Sequence, residues 1–274
     1  MSMSTHTPTF DQDDGIDYSS VSRQRETHAA EATRYLNPVV IIVELLVLAA
    51  LLIAGFALYQ NYGTSLQAQR VQDGDLHDVR AAWGAGTVDD VGATHDIPDT
   101  ALGIIASDVI GGDYVYHQGV DTDTLARGPG AYAASAAPGE VGNLSLAAHR
   151  DGWNAPFSEV DKYKVCDPIT IETRDAVHTY KVVSSEDGNQ RARENVECFG
   201  AEIAATLNND DHADIEGVHI VKPDDVSVLD QIPGAGADVN ADLGMLTLTS
   251  CHPHNSNAER IIVHAVLTDT VAKD

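Results

Sequence analysis

Residues 39–58 read VVIIVELLVLAALLIAGFAL, apolar throughout except for Glu44. The run matches the ~20 residues that an α-helix needs to cross the hydrocarbon layer of a bilayer. Glu44 would cost roughly 2.5–3.5 kcal/mol at the bilayer centre, but it lies in the first third of the run, where it can be protonated or reach the interface. A buried helix of a soluble core is the competing reading, and the polar residues before the run offer it nothing to pack against. A cleaved secretory signal has a short basic start and an apolar region of about 7–15 residues; here the head is too long and the apolar run too extended. The sequence therefore predicts an uncleaved signal anchor over residues 38–59 and a disordered tail over residues 1–37, rich in Ser, Thr, Asp, Gln and His. Arg23, Arg25 and Arg34 precede the span, and Arg70 is the first basic residue after it. That bias, diluted by Glu26 and Glu31, predicts a single-pass protein of the cell membrane with its N-terminus in the cytoplasm, the rest of the chain outside, and the lipid bilayer as a partner.

The 274 residues leave room for one ordinary core beyond the anchor. With 16 Lys+Arg against 42 Asp+Glu, a formal net charge of -26, the chain lacks the basic footprint that phosphate binding needs, so nucleic acid is excluded as a partner.

Residues 60–100 carry no sustained strand pattern and read as an extracellular stalk or N-terminal helix. Helical spacing over 65–83 makes Leu66, Val71, Leu76, Val79 and Trp83 the candidate packing positions. Over 101–274 eight short β-like runs follow, at 102–105, 114–117, 143–148, 169–172, 178–183, 218–221, 245–249 and 261–267, separated by Gly, Pro and Asp turns. The fold class they predict is all-β: a closed eight-stranded barrel with short helices, since closure removes edges that would otherwise aggregate. The stretch from Leu125 to Gly130 reads as a punctuated turn. Within 186–217, the segment 201–207 reads as one exposed helix in an insertion between two strands.

Three residues at strand ends bear reactive groups. Cys251 closes Leu246-Thr247-Leu248-Thr249-Ser250-Cys251, Arg260 opens the next run, and His149 follows Leu144-Ser145-Leu146-Ala147-Ala148. A thiolate is the strong form of a cysteine nucleophile, and imidazolium or guanidinium stabilises it. The histidine can also donate a proton to a departing amine, and the arginine can hold charge developing on a carbonyl oxygen. A buried cysteine, a loop histidine and a solvated arginine fit the spacing as well. Cys166 and Cys198 can pair in an oxidising compartment and leave Cys251 free, or each can be buried separately. His252 and His254 flank Pro253 beside Cys251, but the tight spacing and Arg260 argue against a metal site, so no metal and no cofactor is expected. His264, on a strand between apolar neighbours, reads as structural.

The chain resembles a sortase, most closely the class E group of Gram-positive actinobacteria. The likeness rests on the anchor and on Arg127-Gly128-Pro129-Gly130-Ala131-Tyr132, Pro138-Gly139-Glu140-Val141-Gly142-Asn143, Ala147-Ala148-His149-Arg150, Lys222-Pro223-Asp224-Asp225, Leu248-Thr249-Ser250-Cys251-His252-Pro253 and Glu259-Arg260. It implies a sortase-type barrel and a cysteine transpeptidase, with Cys251 as nucleophile, His149 as acid and base, and Arg260 positioning substrate or stabilising the oxyanion. Thr249, Ser250, Trp153 and Phe157 are the candidate groove residues, Trp153 and Phe157 serving equally well as core contacts. This chain has Ala148 where the family commonly has Gly before the histidine, and Cys166 in a turn where sortases often have Gly before Asp.

The resemblance further implies cleavage of a Leu-Pro-x-Thr-Gly or Leu-Ala-x-Thr-Gly signal between Thr and Gly. The partners it implies are surface proteins bearing such signals and the amine of a peptidoglycan precursor or of a pilin, with water as a slow substitute. The segment before the barrel, with Asp96-Ile97-Pro98-Asp99, shows no Asp-Pro-aromatic lid of the kind that resembles pilin polymerases, which favours wall anchoring. A surface binding protein without catalysis is the alternative from another class.

Overall fold

The computed structural model describes residues 37–59, 63–84, 100–212, 215–236 and 239–273. The expected N-terminal tail and the segment weighed as a lid fall outside them. The chain divides into two compact units, Met1–Ala57 and Leu58–Asp274. In the first, α1 (Pro38–Leu58) buries none of its residues and has a mean hydropathy of 3.0 in its most apolar window, so it is long and apolar enough to cross a membrane. Asn37 starts it: its side-chain Oδ1 accepts from the Val39 N–H at 3.0 Å, and Pro38 occupies the first turn, where a missing N–H costs nothing.

The second unit is a barrel. Its strands are β1 (Ala101–Ser107), β2 (Gly112–Gln118), β3 (Gly130–Ala131), β4 (Gly142–Ala147), β5 (Pro168–Glu172), β6 (Ala176–Val182), β7 (Val218–Val221), β8 (Gly244–His252) and β9 (Glu259–Ala272). They pair in the order β6-β5-β1-β2-β3-β4-β8-β9-β7, and an added β6–β9 pairing closes eight of them into a ring. The sequence reading differs from this ring at two places. Strand β7 lies outside it, on the edge of β9, while the eighth member is β3, within a stretch read as a turn. Two residues are too few for alternation to register, yet β3 pairs parallel with β2 and antiparallel with β4.

Strand β9 makes closure feasible because it is long. One edge pairs with β8; the other pairs with β7 over its first part and β6 over the rest. Alternation then sorts the side chains. Leu144, Leu146, Leu246, Leu248, Ile261, Val263 and Ala265 fill the barrel core. Met245 and Val266 face outward into a second cluster with Leu207, Ile215 and Ile232, to which Phe199 and Ile203 of α4 (Gly188–Leu207) are packed. The helix expected to be exposed is therefore a longer one, broken at Gly200 (φ 77°), with Ala204 and Leu207 buried. A disulfide joins Cys198 of this helix to Cys166 in the turn before β5, with Cα atoms 5.3 Å apart. Cys166 has φ 74°, a left-handed conformation that a glycine adopts without steric cost.

Helix α2 (Thr64–Gly84) packs on β1 and β2 through a face that only partly matches the expected one. Leu76, Val79 and Trp83 do meet Ile104 and Val115. Leu66 is 57% exposed, and the buried positions include Thr64, Gln72 and Asp75. Gln72 acts as a bracket: its Oε1 accepts from the Val115 N–H at 2.8 Å, and its Nε2 donates to the carbonyls of Val115 (3.0 Å) and Arg127 (2.7 Å). Asp75 pairs with Arg127 at 2.9 Å and with His117 at 3.3 Å. Arg127 closes α3 (Thr122–Arg127), a short helix capped by Asp121. Gly128 follows because a Cβ there would meet Gln72 Nε2 at 2.0 Å.

Candidate active site

Strand ends bring the reactive residues to one end of the barrel. β4 and β8 run parallel up to Ala147 opposite Thr249, where the Ala148 N–H donates to the Thr249 carbonyl at 3.2 Å. His149 follows two residues past that last pair on the β4 side, as Cys251 does on β8. On the other side of β8, Cys251 is directly opposite Arg260 of β9. Because Leu248 and Ile261 point into the core, alternation turns Cys251 and Arg260 outward. Cys251 is a free, half-buried thiol, and the disulfide involves only the other two cysteines.

Parity also sorts the expected groove residues. Thr249 shares the face of Cys251, and its hydroxyl is 3.0 Å from that of Tyr132, which lies just after β3. Ser250 faces the other way, is buried, and donates to the Ala148 carbonyl at 2.9 Å, so it is no groove residue. Trp153 stacks against the His149 ring, with centroids 6.5 Å apart and planes 23° apart. Phe157 is fully enclosed in the barrel core and cannot line a groove, so of the two readings the core contact is correct. The loop between them has positive φ at Gly152, Trp153, Asn154 and Ala155, a tight left-handed run that the Phe157 N–H closes by donating to the His149 carbonyl at 3.1 Å.

His149 is half-buried, and its Nε2 is enclosed without a hydrogen-bond partner. Burial pushes its pKa below the usual imidazole range, with Asp151 opposing the shift in part. The ring is therefore neutral at neutral pH and able to take a proton from a thiol. The Arg260 guanidinium is steadied through Nη1, which donates to the carbonyls of Asn257 (3.1 Å) and Glu259 (2.9 Å).

Sequence reasoning missed the group that ties the two strand ends together. Arg150, next to His149, is 2% exposed. Its Nη2 meets Asp161 Oδ1 at 2.8 Å, its Nη1 lies 3.1 Å from His252 Nδ1, and its Nε donates to His254 Nε2 at 3.3 Å. Since Nε2 of His254 accepts, its Nδ1 carries the proton and donates to Asp151 Oδ1 at 2.8 Å. The two histidines weighed as metal ligands instead serve Arg150, and among the described residues no three metal-binding side chains converge. The one local signal was a basic residue beside the histidine.

At one end of this closed barrel a free thiol stands opposite a guanidinium, and a half-buried imidazole follows the end of the neighbouring strand. Residues 105–268 match the sortase domain, and the chain belongs to the sortase family of transpeptidases. Sortase SrtE2 of Streptomyces coelicolor is 34% identical over 169 residues, 57% of this chain and 65% of that protein, a match spanning less than two thirds of the relative and placing the similarity toward class E. Sortase SrtE1 of the same organism is 27% identical over 124 residues, 45% of this chain and 26% of that protein. The solved structure of the SrtF sortase from Corynebacterium diphtheriae is 34% identical and superposes with a TM-score of 0.61, covering 69% of this chain and 94% of that one.

Proposed function

We propose that this protein is a membrane-anchored cysteine transpeptidase that cleaves a Leu-Pro-x-Thr-Gly or Leu-Ala-x-Thr-Gly type of signal between Thr and Gly and joins the Thr carboxyl to an amine of a cell-wall precursor. The observation that supports the reading is the free Cys251 directly opposite Arg260, with His149 just past the end of the strand paired on the other side of β8. His149 takes the proton of Cys251, whose sulfur attacks the Thr carbonyl carbon. Arg260 faces the developing oxyanion. As the carbon–nitrogen bond breaks, His149 returns the proton to the departing glycine amine and a thioester remains on Cys251. The acceptor amine attacks that thioester, loses a proton to His149, and releases the thiol. Acyl activation is kept in the thioester, so no nucleotide is consumed. Helix α1 holds the enzyme at the bilayer with its N-terminus in the cytoplasm and the rest of the chain outside, where translocated substrates emerge.

The test is intact-mass detection of the acyl-enzyme and of the amine adduct, using the detergent-solubilised full chain with sorting-signal peptides and candidate amines. Cys251→Ala abolishes the acyl-enzyme. His149→Ala slows its formation by about 10²- to 10⁴-fold, and Arg260→Lys retains charge but loses the planar fork and most of the rate. Acylation at the wild-type rate in Cys251→Ala or His149→Ala refutes these roles. A Cys251 that never reacts favours the non-catalytic binding protein.

A further inference from the structure

The loop after His149 and the turn after Cys251 are bound to each other through Asp151 as well as through Arg150. Asp151 Oδ2 accepts from the Asn255 N–H at 2.7 Å, and its Oδ1 accepts from His254 Nδ1 at 2.8 Å. Partial burial works against the ionised form, yet these two bonds and the nearby Arg150 outweigh it and hold the carboxyl below the usual carboxylate range. Asp151 is therefore an anion at neutral pH. It stands two residues from His149, so the two Cα atoms are within about 7 Å of each other.

Neither hydrogen-bond partner carries a charge that cancels this anion. Since His254 accepts from Arg150 Nε on its Nε2, the ring that donates to Asp151 is neutral, as is the Asn255 N–H. The Arg150 guanidinium has a carboxylate of its own in Asp161, at 2.8 Å. One negative charge is left on the loop of His149. The other titratable and charged groups at this end of the barrel are Cys251 and His252 of β8, and Glu259 and Arg260 of β9, with Lys222 paired to Glu259. Among the described residues, Asp151 is the charge that opposes the downward push of burial on the His149 pKa.

We infer that Asp151 is a positioning residue of the transfer reaction: its carboxylate pins the turn after Cys251 to the loop of His149, and its uncancelled charge favours the imidazolium that forms when the thiol gives up its proton. The inference rests on the transpeptidase reading above. When the proton passes from Cys251 sulfur to His149, a cation appears on a half-buried ring whose surroundings disfavour it. A fixed anion within about 7 Å offsets part of that cost at the moment the thiolate is needed. The same two hydrogen bonds set the separation of the acid–base group and the nucleophile, which reacting groups tolerate poorly when it changes.

The experiment compares wild type with Asp151→Asn, which keeps an acceptor oxygen for Asn255 and loses the charge, and with Asp151→Ser, which removes the carboxylate altogether. Each is the full-length chain in detergent. The His149 titration is followed by NMR of isotope-labelled histidine rings, its resonance identified by its loss in His149→Gln. In both variants the His149 midpoint is expected to move to lower pH by about half a pH unit. With a Thr-Gly signal peptide, kcat for acylation is expected to fall about tenfold with KM within about twofold, and the acid limb of the rate profile to move with the titration. An unmoved midpoint in either folded variant overturns the inference, because a merely structural loss would lower the rate and leave the titration in place. An unchanged kcat overturns it as well. Failure of every peptide to acylate wild-type Cys251 refutes the transpeptidase reading and the positioning role that rests on it, and a shifted midpoint alongside that failure separates it from a wrong electrostatic assignment.

Discussion

Replacing Arg150 with methionine keeps most of its buried alkyl packing and deletes the guanidinium. Three bonds are lost, to Asp161, His252 and His254. Hydrogen bonds to charged groups contribute ~1.5–3 kcal/mol each at best. Two facts reduce their sum. The Asp161 and His254 side chains are 43% and 46% exposed, so both regain water when the guanidinium goes, and burying a guanidinium itself costs several kcal/mol, which the substitution removes. The net loss of stability is therefore small, about 2 kcal/mol, or a Tm lower by about 4–8 °C for a domain of this size. Catalysis should suffer more. Arg150 joins the segment after His149 to the turn after Cys251, and a displacement of about 1 Å between reacting groups can cost ~10²-fold. We expect Arg150→Met to lower kcat for acylation about 30- to 100-fold with little change in KM, measured by intact mass, while differential scanning fluorimetry reports the modest Tm shift. Arg150→Lys, with one ammonium for three acceptors, should fall between. Acylation within threefold of wild type in Arg150→Met would show that the strand ends hold their geometry without the clamp.

Gln72→Ala should cost about 3 kcal/mol, because it strands the Val115 N–H and two carbonyls under α2; a urea midpoint unchanged from wild type refutes the bracket. Removing the Cys166–Cys198 bridge, which links positions 32 apart in sequence, should lower stability by about 3–4 kcal/mol on loop entropy while leaving Cys251 alkylation unaltered; loss of Cys251 reactivity alongside a small Tm change would mean that the bridge shapes the site. His149, His219 and His264 have folded pKa values below their unfolded ones. As pH falls below about 6.5 the unfolded chain takes up protons that the folded one does not, so stability is full above that pH and is lost progressively as pH drops toward the folded values. Denaturant midpoints that rise between pH 7 and pH 5 contradict this sign.

Strands that alternate over five or more residues were legible in the sequence. β3 was not, because Gly130–Ala131 owes its pairing to its neighbours and shows no period of its own. Helix α2 was legible as a helix, and Leu76, Val79 and Trp83 as part of its docking face, but the polar part of that face was not. Hydrophobic spacing selected Leu66, which is exposed, and passed over Gln72 and Asp75, which are buried because backbone carbonyls, an N–H and Arg127 await them on the barrel. Polar residues that dock by hydrogen bonding leave no apolar period. The same holds for Arg150. Its partners lie eleven residues ahead in the chain and more than a hundred beyond, and nothing local indicates that they converge.

The pairing of Cys251 with Arg260 was legible for a different reason, which also explains which of the expected groove residues the fold buries. In a strand of period two, the residues that fill the core decide where every other side chain points. Leu246 and Leu248 inside the barrel put Thr247, Thr249 and Cys251 outside, and they put Ser250 inside with them. Shifting β8 by one residue would bury the thiol and present Ser250 beside Arg260, and it would also drive Leu246 and Leu248 out of the core. The register that makes the core is thus the register that makes the site, so Cys251 needs no stabilising contact of its own to be held in place. Applying that parity to Leu248 would have excluded Ser250 at once. Phe157 lies in a left-handed loop rather than a strand, where no parity rule reaches it, and only the folded barrel shows that it packs inward while Trp153 faces His149.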